Sequence, residues 1–276
     1  MSNVIIQNAC GVGLRSAHYN IISTTFPSIA WLEVHSENFL TSNPYVHKIL
    51  EIVVNHYPIS LHSVGLSLGS TDALDTNHLK KIKKLVTLYN PVFISEHLAW
   101  SSVDGVILHD LLPLPYNPSS LQLFYDKVQM VQDYLGQQIL IENPALYVKF
   151  PDSTMHEYDF LNQLADKTGC GILLDITNLY ISSYNLSFAA IEYLEQINQN
   201  QVYEIHVAGF KKSNRGLLVD SHSGEVGNEV LELFEYFIKN YGARPTIFEQ
   251  DQEIKTLQEI IEQAEKVNSI INKYAS

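Results

Sequence analysis

The sequence predicts an α/β barrel of eight parallel strands, and two observations point to it. Short apolar runs rich in β-branched residues recur eight times, with amphipathic helix-like stretches between them. Six consecutive runs, the third to the eighth, end in His, Asp or Glu, as expected where barrel strands open onto a shared mouth. With 276 residues the chain has the length at which such a barrel forms one unit, so we expect a single (β/α)8 TIM-barrel domain over 1–276.

Taken in order, the predicted strands are Cys10–Leu14, Ala30–Val34, Ile59–His62, Val92–His97, Gln138–Glu142, Gly171–Asp175, Val202–Val207 and Pro245–Glu249. Helices are predicted over Pro44–His56, Asn77–Tyr89, Pro118–Leu135, Met155–Lys167, Phe188–Gln196 and Val230–Asn240, with Gln252–Tyr274 as the closing helix. Asp75-Thr76-Asn77 and Asn117-Pro118-Ser119-Ser120 supply helix-start residues. The count of eight favours a closed barrel over an open doubly wound sheet. No GxGxxG or Walker loop follows any strand, which counts against a nucleotide-binding open sheet.

Composition narrows the partners. Seventeen Lys and Arg face thirty Asp and Glu, for a formal net charge of −13. Nucleic-acid binding normally needs a concentrated basic surface, so no such partner is expected. No apolar run approaches the roughly 20 residues that span a bilayer, so no membrane association is expected. The first residues lack a basic and apolar signal pattern, and only two cysteines, Cys10 and Cys170, occur far apart. A cytoplasmic protein without a disulfide framework is the simplest expectation.

The strand ends carry the chemistry. They place His62, His97, Glu142, Asp175, His206 and Glu249 at one end of the barrel, with Asn143, Asn178 and Asp251 just beyond and Asp220 and His222 in the loop after the seventh strand. A single His there is more often a packing residue than a ligand, and a single carboxylate as often caps a helix. Six such residues converge here with hardly any Lys or Arg among them, so the carboxylates would repel one another unless a cation were present. The set lacks a thiolate, which excludes a cysteine zinc site or an iron–sulfur cluster. Imidazole mixed with carboxylate and amide oxygen suits Fe, Mn or Zn. The donors suffice for two or three ions, with Glu142 or Glu249 bridging.

Weaker signals surround these. His35, Glu37 and Asn38 follow the second strand and offer substrate contacts or an outer ligand, or else a helix cap. Arg15 could anchor a substrate carboxylate or balance an acidic rim. His109-Asp110 reads as a supporting or substrate-loop pair. His18, His47, His56, His78 and His156 read as surface residues, and Cys170, at the opposite end from the mouth, is not a nucleophile candidate.

Longer motifs then become informative. Gly11-Val-Gly-Leu-Arg15, Leu32-Glu-Val-His-Ser-Glu-Asn38, Ser60-Leu-His-Ser-Val-Gly-Leu-Ser67, Ser95-Glu-His-Leu-Ala-Trp100, Asp110-Leu-Leu-Pro-Leu-Pro115, Ile141-Glu-Asn143, Leu174-Asp-Ile-Thr-Asn178, Glu204-Ile-His-Val-Ala-Gly209 and Asp220-Ser-His222 stand in one chain. From about Gly11 to Asp251 the sequence resembles the multinuclear non-heme iron-dependent oxidative enzymes, which include the methanobactin-biosynthesis oxidase. The resemblance implies a barrel like that of xylose isomerase. It also implies two or three Fe(II)/Fe(III) ions held by His62, His97, Glu142, Asp175, Asn178, His206, Asp220, His222, Glu249 and Asp251. The expected activity is O2-dependent modification of cysteine in a ribosomally made precursor peptide, giving oxazolone–thioamide or thiooxazole products. A small leader-recognising partner protein is expected alongside. On this reading His62 and His97 hold one ion with Glu142 shared, and Asp175, His206 and Glu249 hold a second. Asn178, Asp220, His222 and Asp251 belong to a third, and His206, Glu142 and Asp175 lie nearest the chemistry. Two positions depart from the family pattern: Phe210, where relatives mostly have His, and Gln250, where they tend to have Trp. Neither is an expected ligand, so substrate shape is what they bear on. The rival reading is a zinc- or manganese-dependent hydrolase or isomerase on the same barrel, acting on a sugar or phosphodiester. A metal-storage module is the non-enzymatic alternative.

Overall fold

The structure is a computed structural model that describes residue 6 and residues 8–274. Its strands, in chain order, are β1 (Cys10–Gly13), β2 (Leu32–His35), β3 (Ile59–His62), β4 (Ile94–His97), β5 (Trp100–Val103), β6 (Val106–Leu112), β7 (Leu140–Glu142), β8 (Gly171–Asp175), β9 (Val202–Ala208), β10 (Phe210–Lys212), β11 (Leu218–Asp220) and β12 (Thr246–Glu249). Eight of them close a parallel barrel in the order β1-β12-β9-β8-β7-β4-β3-β2. These eight match the eight predicted from sequence to within two residues at either end. Closure leaves no strand edge in the barrel, and the helical layer outside covers the apolar residues.

The helices are α1 (Tyr19–Thr25), α2 (Pro44–Val54), α3 (Thr76–Tyr89), α4 (Pro118–Leu135), α5 (Glu157–Thr168), α6 (Ile176–Leu186), α7 (Ala190–Gln196), α8 (Asn228–Tyr241) and α9 (Leu257–Tyr274). Side chains such as Phe124, Phe160, Phe234, Phe237 and Phe248 fill the layer between helices and strands, each fully buried. Each contributes about 1.5–3 kcal/mol through the apolar surface it removes from water.

Four features correct the sequence reading. Helix α1 is short and went unpredicted. Helix α6 begins immediately after β8, where only a later helix was expected, because the Asp175 carboxylate caps it by accepting from the Asn178 backbone N–H at 2.7 Å. The closing helix starts at Leu257, five residues later than predicted from Gln252. Two antiparallel hairpins, β5–β6 and β10–β11, rise from the mouth where loops were expected. The first turns through Asp104-Gly105, both at positive φ (52° and 72°), the residue pair that favours a two-residue hairpin turn. Outside the barrel, no helix among the described residues is long and apolar enough to cross a membrane.

Asn117 starts α4 by accepting hydrogen bonds from the Ser119 and Ser120 backbone N–H groups at 3.1 and 3.0 Å. Replacing it with Ala should cost about 1 kcal/mol, while Asn117→Gly should cost only a few tenths. A thermal melt should show the Ala variant lower by about 2–4 °C; equal midpoints for both variants would deny the cap its role.

Candidate metal centre

The barrel geometry gathers the strand-end residues into one chain of donor groups. His62 Nε2 and His97 Nε2 each lie 3.3 Å from Glu142 Oε2. His206 Nδ1 lies 3.0 Å from Glu249 Oε2 and 3.8 Å from Glu142 Oε1. His222 Nε2 lies 3.0 Å from Asp220 Oδ1 and 3.5 Å from Asp175 Oδ2, while its Nδ1 faces Glu249 Oε2 at 3.2 Å and Asp251 Oδ2 at 3.3 Å. Of five sets among the described residues whose ligand atoms are close enough for one ion, three follow one another along the floor: His62, His97 and Glu142; Glu142, Asp175 and His206; Asp175, His222 and Glu249. Consecutive sets share a carboxylate, first Glu142 and then Asp175, which is how bridged ions are held.

Local structure turns the ligand atoms inward. Strand alternation sends Glu142 and His206 into the barrel. Asp175 divides its carboxylate, with Oδ1 capping α6 and Oδ2 facing the interior. Asn143 clamps β8 by donating from Nδ2 to Asp175 O and accepting from Asp175 N, at 2.9 and 2.8 Å. His222 sits at φ 40°, the left-handed region that non-glycine residues occupy at a cost, and its carbonyl accepts from Asp251 N at 2.8 Å.

The donors fit metal ions on the test of unsatisfied atoms. Glu142 Oε2, Asp175 Oδ2, Asn178 Oδ1, His206 Nδ1 and His222 Nε2 are all buried without a hydrogen-bond partner. Such atoms are costly in an apolar interior and are normally paired. Electrostatics agrees. Burial pushes the Glu142 carboxyl up to about 8 and Asp175 up to about 6, although nearby imidazoles pull both down. Burial would lower His97, but the Glu142 and Glu96 carboxylates outweigh it and hold that imidazole up to about 9. Without a cation the cluster retains protons to limit its charge, and a metal ion would replace them.

Above the donors lies a cavity of about 650 Å³, lined by His62, His97, Asn178, Asp220, His222, Glu249 and Asp251 on its floor. Its walls include Ile107, Leu108, His109, Asp110 and Leu111 of the first hairpin, with Pro144, Ala145 and Tyr147 opposite. The Tyr147 hydroxyl accepts from Asp220 N at 2.8 Å, tying the second hairpin to that wall.

All ten expected ligands therefore converge. The weaker candidates part company. His35 faces the centre, its Nε2 3.1 Å from Glu249 Oε1, and with His62 and Glu249 it forms a further set of donors. Glu37 lines the cavity but is engaged by His78 Nε2 at 3.0 Å and by the Gly65 backbone N–H. His78, read from sequence as a surface residue, is thus a half-buried wall residue, placed there by the Asp75 cap at the start of α3. His18, also read as a surface residue, is buried and bonds Lys255 O at 2.8 Å. Asn38 is exposed and is not brought to the cavity. Arg15 is buried behind the rim, donating to Asp251 Oδ1 at 2.6 Å, to Gln250 O at 3.0 Å and to Glu249 Oε1 at 3.2 Å. These contacts balance acidic charge, and Arg15 does not line the cavity. Sequence reasoning passed over Glu33 and Glu204, which lie beneath His206; their two-residue spacing along β9 put Glu204 and His206 on one face, and that signal was legible.

The fold and site define an α/β barrel whose C-terminal mouth gathers buried His, Asp and Glu groups that could hold metal ions. Residues 9–272 match the family described as RiPP precursor modification enzyme MbnB/TglH/ChrH, and the chain belongs to that family. It is 41% identical to the UPF0276 protein VP3015 of Vibrio parahaemolyticus over 95% of this chain and 92% of that one. It is 39% identical to a UPF0276 protein of Chromobacterium violaceum over 98% of both. In fold it is similar to a D-tagatose 3-epimerase-like protein (TM-score 0.64, 15% identity, 97% of this chain and 100% of that one). It is similar also to endonuclease IV from Thermus thermophilus (TM-score 0.62, 14% identity, 96% and 99%). These likenesses bear out the expected barrel class.

Gly209, just past β9, lets the loop carrying His222 cross close overhead. A Cβ there would lie 2.2 Å from Ser223 O and 2.8 Å from Glu225 O, both backbone. Gly209→Ala should displace that loop and lower metal content by about one ion per chain, read by elemental analysis, with the ligands untouched. Undiminished metal content would show that the loop tolerates the shift.

Proposed function

We propose that this chain is a non-heme iron-dependent oxidase that uses O2 to modify cysteine in a ribosomally synthesised precursor peptide. Family membership supports the peptide substrate. The observation that carries the multinuclear-metal reading is the run of three donor sets joined by Glu142 and Asp175 and built without a thiolate ligand; the motifs shared with the iron-dependent family favour iron among Fe, Mn and Zn. His62, His97 and Glu142 would hold one ion, Glu142, Asp175 and His206 a second, and Asp175, His222 and Glu249 a third. Asn178, Asp220 and Asp251 stand beside them to complete the coordination. Glu249 thus falls with His222 as well as with His206, a different grouping from the one expected from sequence. Bound iron would supply the electrons for O2 and a Lewis acid for the substrate thiolate.

The chain's own residues do the rest. The cavity is large enough for a short extended stretch of peptide. Ile107, Leu111 and Pro144 offer it apolar contact, and His109 and Asp110 offer polar partners. The first hairpin and Asp220 of the second line the cavity, and a peptide seated there would displace water and strengthen each electrostatic contact inside. A small protein that recognises the peptide leader belongs to the same proposal.

Elemental analysis and Mössbauer spectroscopy of protein expressed with ample iron should find two to three irons per chain in mixed oxidation states. His206→Ala should abolish O2 consumption while the thermal melt stays cooperative. Zinc or manganese at similar occupancy, with no O2 uptake, would overturn the iron reading and direct attention to a hydrolase or isomerase.

A further inference from the structure

Each histidine of the first two donor sets has one nitrogen turned to the centre and another turned away. For His62 the far nitrogen, Nδ1, meets Ser95 Oγ at 2.7 Å. For His97 the far Nδ1 lies 3.4 Å from Glu96 Oε1. For His206 the far nitrogen is Nε2, and its neighbours are Glu33 Oε2 at 2.9 Å and Glu204 Oε1 at 3.7 Å. Glu33 and Glu204 are fully buried, do not line the cavity, and keep all four carboxylate oxygens without a hydrogen-bond partner. The Glu33 contact is short but oblique, and the ring has no better partner on that side.

We infer that Glu33, with Glu204 behind it, is a positioning residue that holds the His206 ring with Nδ1 toward Glu142 and Glu249. The alternative is a deeper cation site made by Glu33, Glu204 and His206 Nε2, whose ligand atoms are close enough. The two are exclusive, and Nδ1 is the nitrogen that faces Glu142 and Glu249 of the bridged donor sets. A neutral imidazole has one lone pair, so if Nδ1 binds an ion, Nε2 carries the proton. The carboxylates beside Nε2 are then acceptors for that proton, and an acceptor at this place fixes the ring and raises the basicity of the ligating nitrogen.

The inference rests on the metal reading above, and its test separates the two. In a crystal of iron-loaded wild-type protein, His206 should ligate through Nδ1 with Nε2 within about 3.2 Å of Glu33; ligation through Nε2 would overturn the inference. Glu33→Leu keeps most of the volume but removes the acceptor. It should bind iron about 10–100-fold more weakly at one site, with one Mössbauer component lost or shifted. Glu33→Gln retains a side-chain oxygen and should restore that component, which a packing role would not require. A Glu33→Leu protein with wild-type iron content and an unchanged spectrum would refute the positioning role. If wild-type protein takes up neither iron nor zinc, the metal reading itself fails. Crystal structures of the metal-free wild type and Glu33→Leu then decide the positioning role alone, an unturned His206 ring in the variant refuting it.

Discussion

Five carboxylates, Glu33, Glu142, Asp175, Glu204 and Glu249, share the barrel interior, each almost wholly removed from water. Concentrating that much potential negative charge in a poorly screened volume is the constraint on which the rest of the site depends. Arg15 supplies one permanent positive charge at the rim, against Glu249 and Asp251. Four buried histidines, His62, His97, His206 and His222, lie among the carboxylates. The arrangement leaves more acceptor atoms than protein donors, and the surplus points inward.

The scaffold makes that concentration tolerable. The closed barrel fixes each strand against two neighbours, so the ligand-bearing ends cannot splay apart to relieve repulsion. Backbone clamps act at the end of β8: Asn143 locks the strand, and the start of α6 takes one oxygen of Asp175. The apolar layer of phenylalanines outside the strands supplies stability that the polar interior does not. Function at the C-terminal ends of the strands, with stability supplied by the rest of the fold, is the usual division of labour in this barrel class.

The cavity takes its shape from the segments that follow the strands. The barrel floor presents donors that many chemistries could use, whereas the cavity walls come from the segments after β2 and β3, the first hairpin, the β7–α5 loop and the loop after β11. Phe210 opens the second hairpin and packs against Tyr180, and Gln250 is buried, bonded to Lys255 N and Glu253 O. The two positions that depart from the family pattern therefore support the rim without lining the cavity.

The sequence by itself determined the barrel, because short apolar runs rich in β-branched residues, alternating with helical stretches, are local signals that the chain cannot hide. It also determined the principal donors, since His62, His97, Glu142, Asp175, His206 and Glu249 each stand at the end of a legible strand. The first hairpin was legible too, through Asp104-Gly105, though the loop setting concealed it. Only the tertiary structure decided the pairings: that Asp175 and His222 meet across two strands, that His78 reaches Glu37, that Arg15 turns to the rim, and that Glu33 lies beneath His206. Those distances depend on strand register and barrel closure, which bring together residues as far apart as 33 and 206. No local pattern encodes such separations, because they are fixed only when every strand is in place.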